Sequence, residues 1–261
     1  MQTIDIARLS RVRALQMVTL AKSAHIGSSL SCIDILSVLY SRINPNQSLD
    51  AQEHVVLISK GHAAAGVYSV MSSVGLIPLH QISTYCVDGA TLSGHVTAGP
   101  FIELSTGSLG HALPYAVGRA LAAKRKGLKT QFYVLISDGE CDEGSNWEAA
   151  LIASHLGLDN IKVIIDRNFL QSLKSTEDTI RLEPLADKWK AFGWDVENLD
   201  GHDHKAIEAF LNANSTSPRV AIARTIKGYG VSFMENSVEW HYRSPNDSEL
   251  NLAIEEIERN A

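Results

Sequence analysis

Phe132-Tyr133-Val134-Leu135-Ile136-Ser137-Asp138-Gly139, a helical pattern from Trp147 to Leu156, and then Val163-Ile164-Ile165-Asp166-Arg167-Asn168 form the stretch from which the fold can be read. The run Phe132 to Ile136 is apolar on both faces, as a parallel strand covered above and below must be. It delivers Asp138 and Gly139 at its carboxyl end, and Val163 to Ile165 delivers Asp166, Arg167 and Asn168 at its own. The thirty residues from Asp138 to Asn168 are about what one βαβ unit requires. Both side chains are therefore expected at the tips of neighbouring strands.

The same alternation continues outward. His54-Val55-Val56-Leu57-Ile58 is a short β-branched run with Ser59-Lys60-Gly61-His62 as its exit loop, and Val220 to Ala223 is another. Thr3 to Ser23 carries Ile6, Leu9, Val12, Leu15 and Val18 at threefold spacing, the stripe of an amphipathic helix. A second helix, Ile33 to Ile43, is expected to stop at Asn44-Pro45-Asn46, and a third spans Leu109 to Lys126. Strand and helix alternating in this way predict an α/β fold with a doubly wound, mostly parallel sheet flanked by helices, whose ligands collect outside the carboxyl ends of the strands. Asn212 to Pro218 suffices only for a helix-to-strand connection, and residues 1–261 are read as a single domain.

Composition narrows the function classes. The chain has 261 residues, Lys+Arg 23 against Asp+Glu 29, a net charge of −6, 45% hydrophobic and 20% charged residues. That is an ordinary globular balance. Its only sizeable basic cluster is Lys124-Arg125-Lys126, so a nucleic-acid partner held through its phosphates is not expected. Cys32, Cys86 and Cys141 are odd in number and far apart, which excludes a disulfide framework or a paired-cysteine metal site. No secretion signal and no apolar run long enough to span a bilayer is present, and a reducing, cytoplasmic setting is expected.

Asp138 and Asn168 offer a carboxylate and a carboxamide, hard oxygen donors that suit Mg²⁺ or Ca²⁺ and leave positions open for diphosphate oxygens. Either piece alone has an ordinary explanation, since Asp-Gly after a strand is often a turn and Asp-Arg-Asn often caps a loop. Their joint placement in one βαβ unit favours the ion. A dinucleotide site lacks its fingerprint, because Gly139 and Gly144 are spaced five apart and no G-x-G-x-x-G follows any strand.

Ser137-Asp138-Gly139-Glu140-Cys141-Asp142-Glu143-Gly144, Trp147-Glu148-Ala149, Asp159-Asn160 and Asp166-Arg167-Asn168 together resemble the thiamine diphosphate motif of transketolases. Lys22 to Ser31, Leu57 to Ala63, Ser93-Gly94-His95, Ser105 to Gly110, Asp200-Gly201-His202-Asp203 and Trp240-His241 follow in that family's order, so the resemblance covers essentially the whole chain. It implies the thiamine diphosphate-binding fold, with Mg²⁺ held by Asp138, Asn168 and the carbonyl of Leu170. It places Gly107, Ser108 and Leu109 along the cofactor, and Gly139 and Glu140 at its diphosphate through the backbone. His25, His62, His95 and His241 are implied to face the reacting carbons or the diphosphate, His62 counting also as a cofactor contact. The implied reaction is transfer of a two-carbon ketol unit from a ketose, a sugar or sugar phosphate, to an aldehyde. Among the other histidines, His202 and His204 flank Asp203 like a chelate, but Asp203 is better read as a helix N-cap. Glu143 matches a subunit-interface position or simply starts a helix, and Cys141 is a bystander.

Enzymes of this family carry a second domain that binds the aminopyrimidine ring and supplies the Glu that protonates it. After Trp240-His241 only a charged helical tail from Asp247 to Asn260 is expected. The chain thus resembles the N-terminal subunit of a split transketolase, active with a separate C-terminal-type partner in an α2β2 heterotetramer. Ser137, Ile26, Ser28 and His111 depart from the family's usual Gly, Pro, Gly and Gln. With His25 and His111 expected to border the cavity, these changes bear on substrate choice. An α-subunit of a 2-oxoacid dehydrogenase or decarboxylase is the alternative, but it should lack this many matched histidines. A one-chain deoxyxylulose phosphate synthase would need the missing half, and a non-catalytic subunit would have lost the metal ligands.

Overall fold

Five parallel strands form one sheet in the computed structural model, which describes residues 1–259: β1 (His54–Ile58), β2 (Gln131–Ser137), β3 (Ile161–Arg167), β4 (Asp195–Asp200) and β5 (Arg219–Arg224), in the order β1-β2-β3-β5-β4. Four of them are the apolar runs expected from the sequence: β1 has the expected bounds, and β2, β3 and β5 are one or two residues longer at each end. Their residues alternate between two cores. Val56, Ile58, Tyr133, Leu135, Ile164, Ala221 and Ala223 pack on one side beneath α1 (Thr3–Ala21), α2 (Ile26–Ser31), α3 (Ile33–Tyr40), α4 (Ala64–Ser73), α9 (His204–Asn212) and α10 (Asp247–Arg259). Val55, Leu57, Phe132, Val134, Ile136, Val163, Ile165 and Val220 pack on the other beneath α5 (Ala112–Arg125), α6 (Gly144–His155) and α8 (Leu185–Ala191). A single turn, α7 (Thr176–Thr179), follows β3. The doubly wound expectation is met. The expected helical tail is α10 as far as Arg259; Asn260, where that expectation ended, lies outside the described residues.

β4 has no counterpart in the apolar pattern. Its sequence, Asp195-Val196-Glu197-Asn198-Leu199-Asp200, is acidic and divided between exposed and half-buried residues with none fully buried, as befits an edge strand with one neighbour. Cross-strand charge recruits it: Arg219 of β5 donates to Asp195 and Glu197, both at 2.9 Å. No described helix is long and apolar enough to cross a membrane.

Register then sets the site. Ser137 pairs with Asp166, so Asp138 and the Arg167-Asn168 pair emerge side by side where β2 and β3 end. The exit loop of β1 joins them, because the amide of Ser59 donates to the carbonyl of Leu135 (2.8 Å).

Candidate active site

A cleft of about 290 Å³ opens at these strand ends, lined by His25, His62, His95, His241, Asp138, Gly139, Asn168, Leu170, Gly107 and Leu109. All four histidines meet there: the His25 ring centroid lies 4.9 Å from that of His241, 5.5 Å from His62 and 5.6 Å from His95. Local backbone explains the convergence. Gly61 sits so close to the Thr106 carbonyl that a Cβ would stand 2.3 Å from that oxygen, and Val96 N–H donates to the Gly61 carbonyl (2.9 Å). The segments carrying His62, His95 and Gly107 are therefore zipped together. His25 adopts a left-handed conformation (φ 72°) before α2, and its N–H donates to the His241 carbonyl (2.8 Å).

The acidic end is equally well tied. Asp138 is almost wholly buried; its carboxylate accepts from the amides of Gly139 (2.8 Å) and Phe169 (2.7 Å) and from Arg167 (3.3 Å). Burial, then the nearby Asp166 charge, push its carboxyl up to about 6 despite those donors. The Asn168 side-chain oxygen accepts from Leu170 N–H (3.1 Å). Among the described residues no three His, Cys, Asp or Glu side chains converge as a ready-made metal site. Asp138, Asn168 and the Leu170 carbonyl are instead an oxygen set with one carboxylate. Such a set suits a hard divalent ion that takes its remaining ligands from a bound diphosphate.

Two lysines that sequence reasoning passed over complete the cleft. Lys60, fully buried, is ion-paired with Asp166, which also accepts from Ser31 (2.6 Å) and Thr225. Lys227, also buried, donates to the Gln171 carbonyl (2.9 Å), stands 3.1 Å from His241 Nδ1, and has no carboxylate partner among the described residues. Burial, then the Lys60 charge, lower its ammonium to about 8. Burial, followed by neighbouring charges that include Lys227, also holds His25 down to about 4 and His241 to about 3, with His62 well below its ordinary value. These three imidazoles are neutral at pH 7. The rule that singled out Asp138 applies to both lysines: Lys60 is the second residue after β1 and Lys227 the third after β5.

Some expected residues lie elsewhere. Ser108 is exposed and does not line the cleft. His111 does not border it either; its ring turns back to the Leu109 carbonyl (2.7 Å). The Glu140 side chain points into the protein, accepting from Ser59, Gly110 N–H (2.8 Å) and Ser137 N–H (3.2 Å), so it holds the Gly107 to Gly110 loop against β2. Asp203 caps α9 as expected, accepting from the amides of Lys205 and Ala206. Glu143 is exposed at the start of α6, and burial pushes the Cys141 thiol far up.

The sequence model of the transketolase thiamine diphosphate binding domain matches residues 3–257. An apulose-4-phosphate transketolase subunit from Actinobacillus succinogenes is 42% identical over 240 residues, which are 89% of this chain and 87% of that one. A 6-deoxy-6-sulfo-D-fructose transketolase subunit from a Clostridium species is 35% identical over 272 residues, covering 99% and 98%. The crystal structure of transketolase from Campylobacter jejuni superposes with a TM-score of 0.90 at 28% identity, spanning 99% of this chain but 43% of that one.

Proposed function

This chain belongs to the transketolase thiamine diphosphate-binding family, and from that premise we propose that it transfers a two-carbon ketol unit from a ketose to an aldehyde as one subunit of a split enzyme. The convergence of Asp138, Asn168, four histidines and two lysines on one cleft carries the reading. Residues 1–261 are taken as one domain, working in the cytoplasm. When bound, thiamine diphosphate would supply a carbon nucleophile and an electron sink. Asp138, Asn168 and the Leu170 carbonyl would hold Mg²⁺ at the diphosphate. Lys227, a cation with no carboxylate partner among the described residues, would face the same anion, and the backbone at Gly107, Leu109 and Gly139 would give it close approach. Neutral His25, His62 and His241, with His95, form a polar wall on which sugar hydroxyls find both acceptors and donors. The low proton affinity of His25, His62 and His241 suits groups that accept a hydroxyl proton and return it at once.

The Actinobacillus and Clostridium relatives are named as subunits. By analogy, a separate C-terminal-type partner would bring the pyrimidine-binding Glu in an α2β2 assembly, and the substrate would be a sugar phosphate or a similarly anionic sugar. A thermal-shift series with thiamine diphosphate, Mg²⁺ and chelator, with and without that partner, tests this. A metal-dependent rise that Asp138→Asn abolishes is expected. No rise with the partner present would overturn the cofactor assignment, and turnover of a ketose by the purified chain alone would overturn the need for a partner.

A further inference from the structure

We propose that His202, clamped by Asp34, is a positioning residue that holds the turn carrying Lys227 into the cleft; this rests on the reading of Lys227 as a diphosphate-facing cation. His202 lies just beyond β4 and does not line the cleft. Its Nε2 accepts from the Ile226 amide (3.0 Å), so that nitrogen carries no hydrogen and Nδ1–H donates to Asp34 Oδ2 (2.7 Å). One face of the ring is covered as well, stacked on Tyr229 at 3.5 Å between centroids and 19° between planes. Both edges and a face of one imidazole are thus committed to a single orientation.

Asp34 on α3 is the anchor. Burial would push its carboxyl up, but the Arg11 guanidinium and the His202 and His204 rings hold it well below the usual carboxylate range. Arg11 pairs with one oxygen and His204 Nε2 approaches the other at 2.9 Å. The anchored ring therefore ties α1, α3 and the start of α9 to one backbone amide.

That amide occupies a telling position. Ile226 lies between Thr225, whose hydroxyl donates to Asp166, and Lys227, whose Nζ reaches Gln171 and His241. Tyr229 N–H donates to the Ile226 carbonyl (3.1 Å), closing the turn over which the His202 ring lies. Neither Asp34 nor Arg11 lines the cleft, so the network acts on it through this turn. A glutamine at 202 offers an amide oxygen to Ile226 and an amide hydrogen to Asp34. A phenylalanine keeps the stack on Tyr229 and offers neither.

With the partner subunit present, titration of the full chain with thiamine diphosphate in Mg²⁺ provides the test, as a double-mutant cycle. His202→Phe should weaken binding about tenfold, His202→Gln should stay within about twofold of wild type, and in a Lys227→Met background His202→Phe should add nothing. Equal weakening in both backgrounds, or a folded His202→Gln as weak as His202→Phe, would overturn the proposal. His202→Ala replaces the Phe variant if that one does not fold. A cofactor-free arm measures hydrogen exchange at the Ile226 amide, which should accelerate in His202→Phe and not in His202→Gln. Unchanged exchange sinks the positioning role whatever the cofactor does, whereas wild type that binds no thiamine diphosphate in Mg²⁺ with the partner subunit present sinks the cofactor reading instead.

Discussion

Replacing Lys227 with Met should make the cofactor-free protein more stable while weakening its hold on thiamine diphosphate. In the folded chain burial and the Lys60 charge lower this ammonium from 10.5 to about 8, so carrying its charge costs roughly 3 kcal/mol. The sign follows from proton uptake. Below about pH 8 both folded and unfolded chains hold the proton and the full cost is present, and it is relieved as pH rises from about 8 towards 10.5. Methionine has a similar length and no charge to desolvate, but it leaves the Gln171 carbonyl without the 2.9 Å donor, an offset of about 1 kcal/mol. The net gain at pH 7 is about 2 kcal/mol, which in a chain of this size raises the midpoint by roughly 4–8 °C. If Lys227 faces the diphosphate as proposed, its loss should weaken cofactor binding by about 10- to 100-fold, removing roughly 1.4–2.7 kcal/mol of ligand-induced stabilisation at fixed concentration. Paired melts of wild type and variant at pH 7 and 9.5, with and without thiamine diphosphate and Mg²⁺, read every term. A cofactor-free variant less stable than wild type at pH 7, a gap that does not shrink by pH 9.5, or an unchanged cofactor shift would refute the reasoning.

Three further outcomes follow from the same geometry. Glu140→Ala strands three donors, those of Ser59, Gly110 and Ser137, and should cost about 3 kcal/mol or more in urea unfolding, with faster amide exchange across the Gly107 to Gly110 loop. Gly110 has φ +79°, and a Cβ there would stand 2.5 Å from Ser145 Oγ and 2.7 Å from Glu143 Cβ; Gly110→Ala should lose about 2–4 kcal/mol, and a midpoint within a degree of wild type would contradict the strain. With His25 at about 4 and His241 at about 3, the folded chain takes these protons later than the unfolded chain, so stability should fall as pH drops from about 6.5 towards 4. A His25→Gln/His241→Gln double variant should show a shallower fall over that window, and an equal slope would assign acid sensitivity elsewhere.

Much of this architecture was legible because four strands are apolar on both faces, a pattern few other structures require. β4 escaped because its fitness as a strand lies in Arg219, 22 residues away from Glu197 in sequence, rather than in its own residues. α2 escaped because a Ser-rich stretch entered from a left-handed His25 carries no helical stripe. At the site, Asp138 and Asn168 could be found from their place after strands, and the histidines through family resemblance. Lys60 and Lys227 follow strands too, but a lysine in a loop normally signals solvent. What sets them apart is burial, and for Lys60 a partner 106 residues distant, both properties of packing. His111 misled for the converse reason, since its neighbourhood in sequence did not reveal a ring folded back on its own loop.

The wholly interior Lys60–Asp166 couple restricts how this protein can be altered. Changing either member alone leaves a buried charge without its counter-ion, Asp166 with only the hydroxyls of Ser31 and Thr225 or Lys60 with the Ser28 carbonyl, a step of roughly 3–5 kcal/mol that a marginally stable chain can scarcely absorb, while changing both together removes the unpaired charge. Single-site libraries built on this scaffold should therefore return both positions as immovable, and only paired codon randomisation would reveal how much freedom the floor beneath the cleft has.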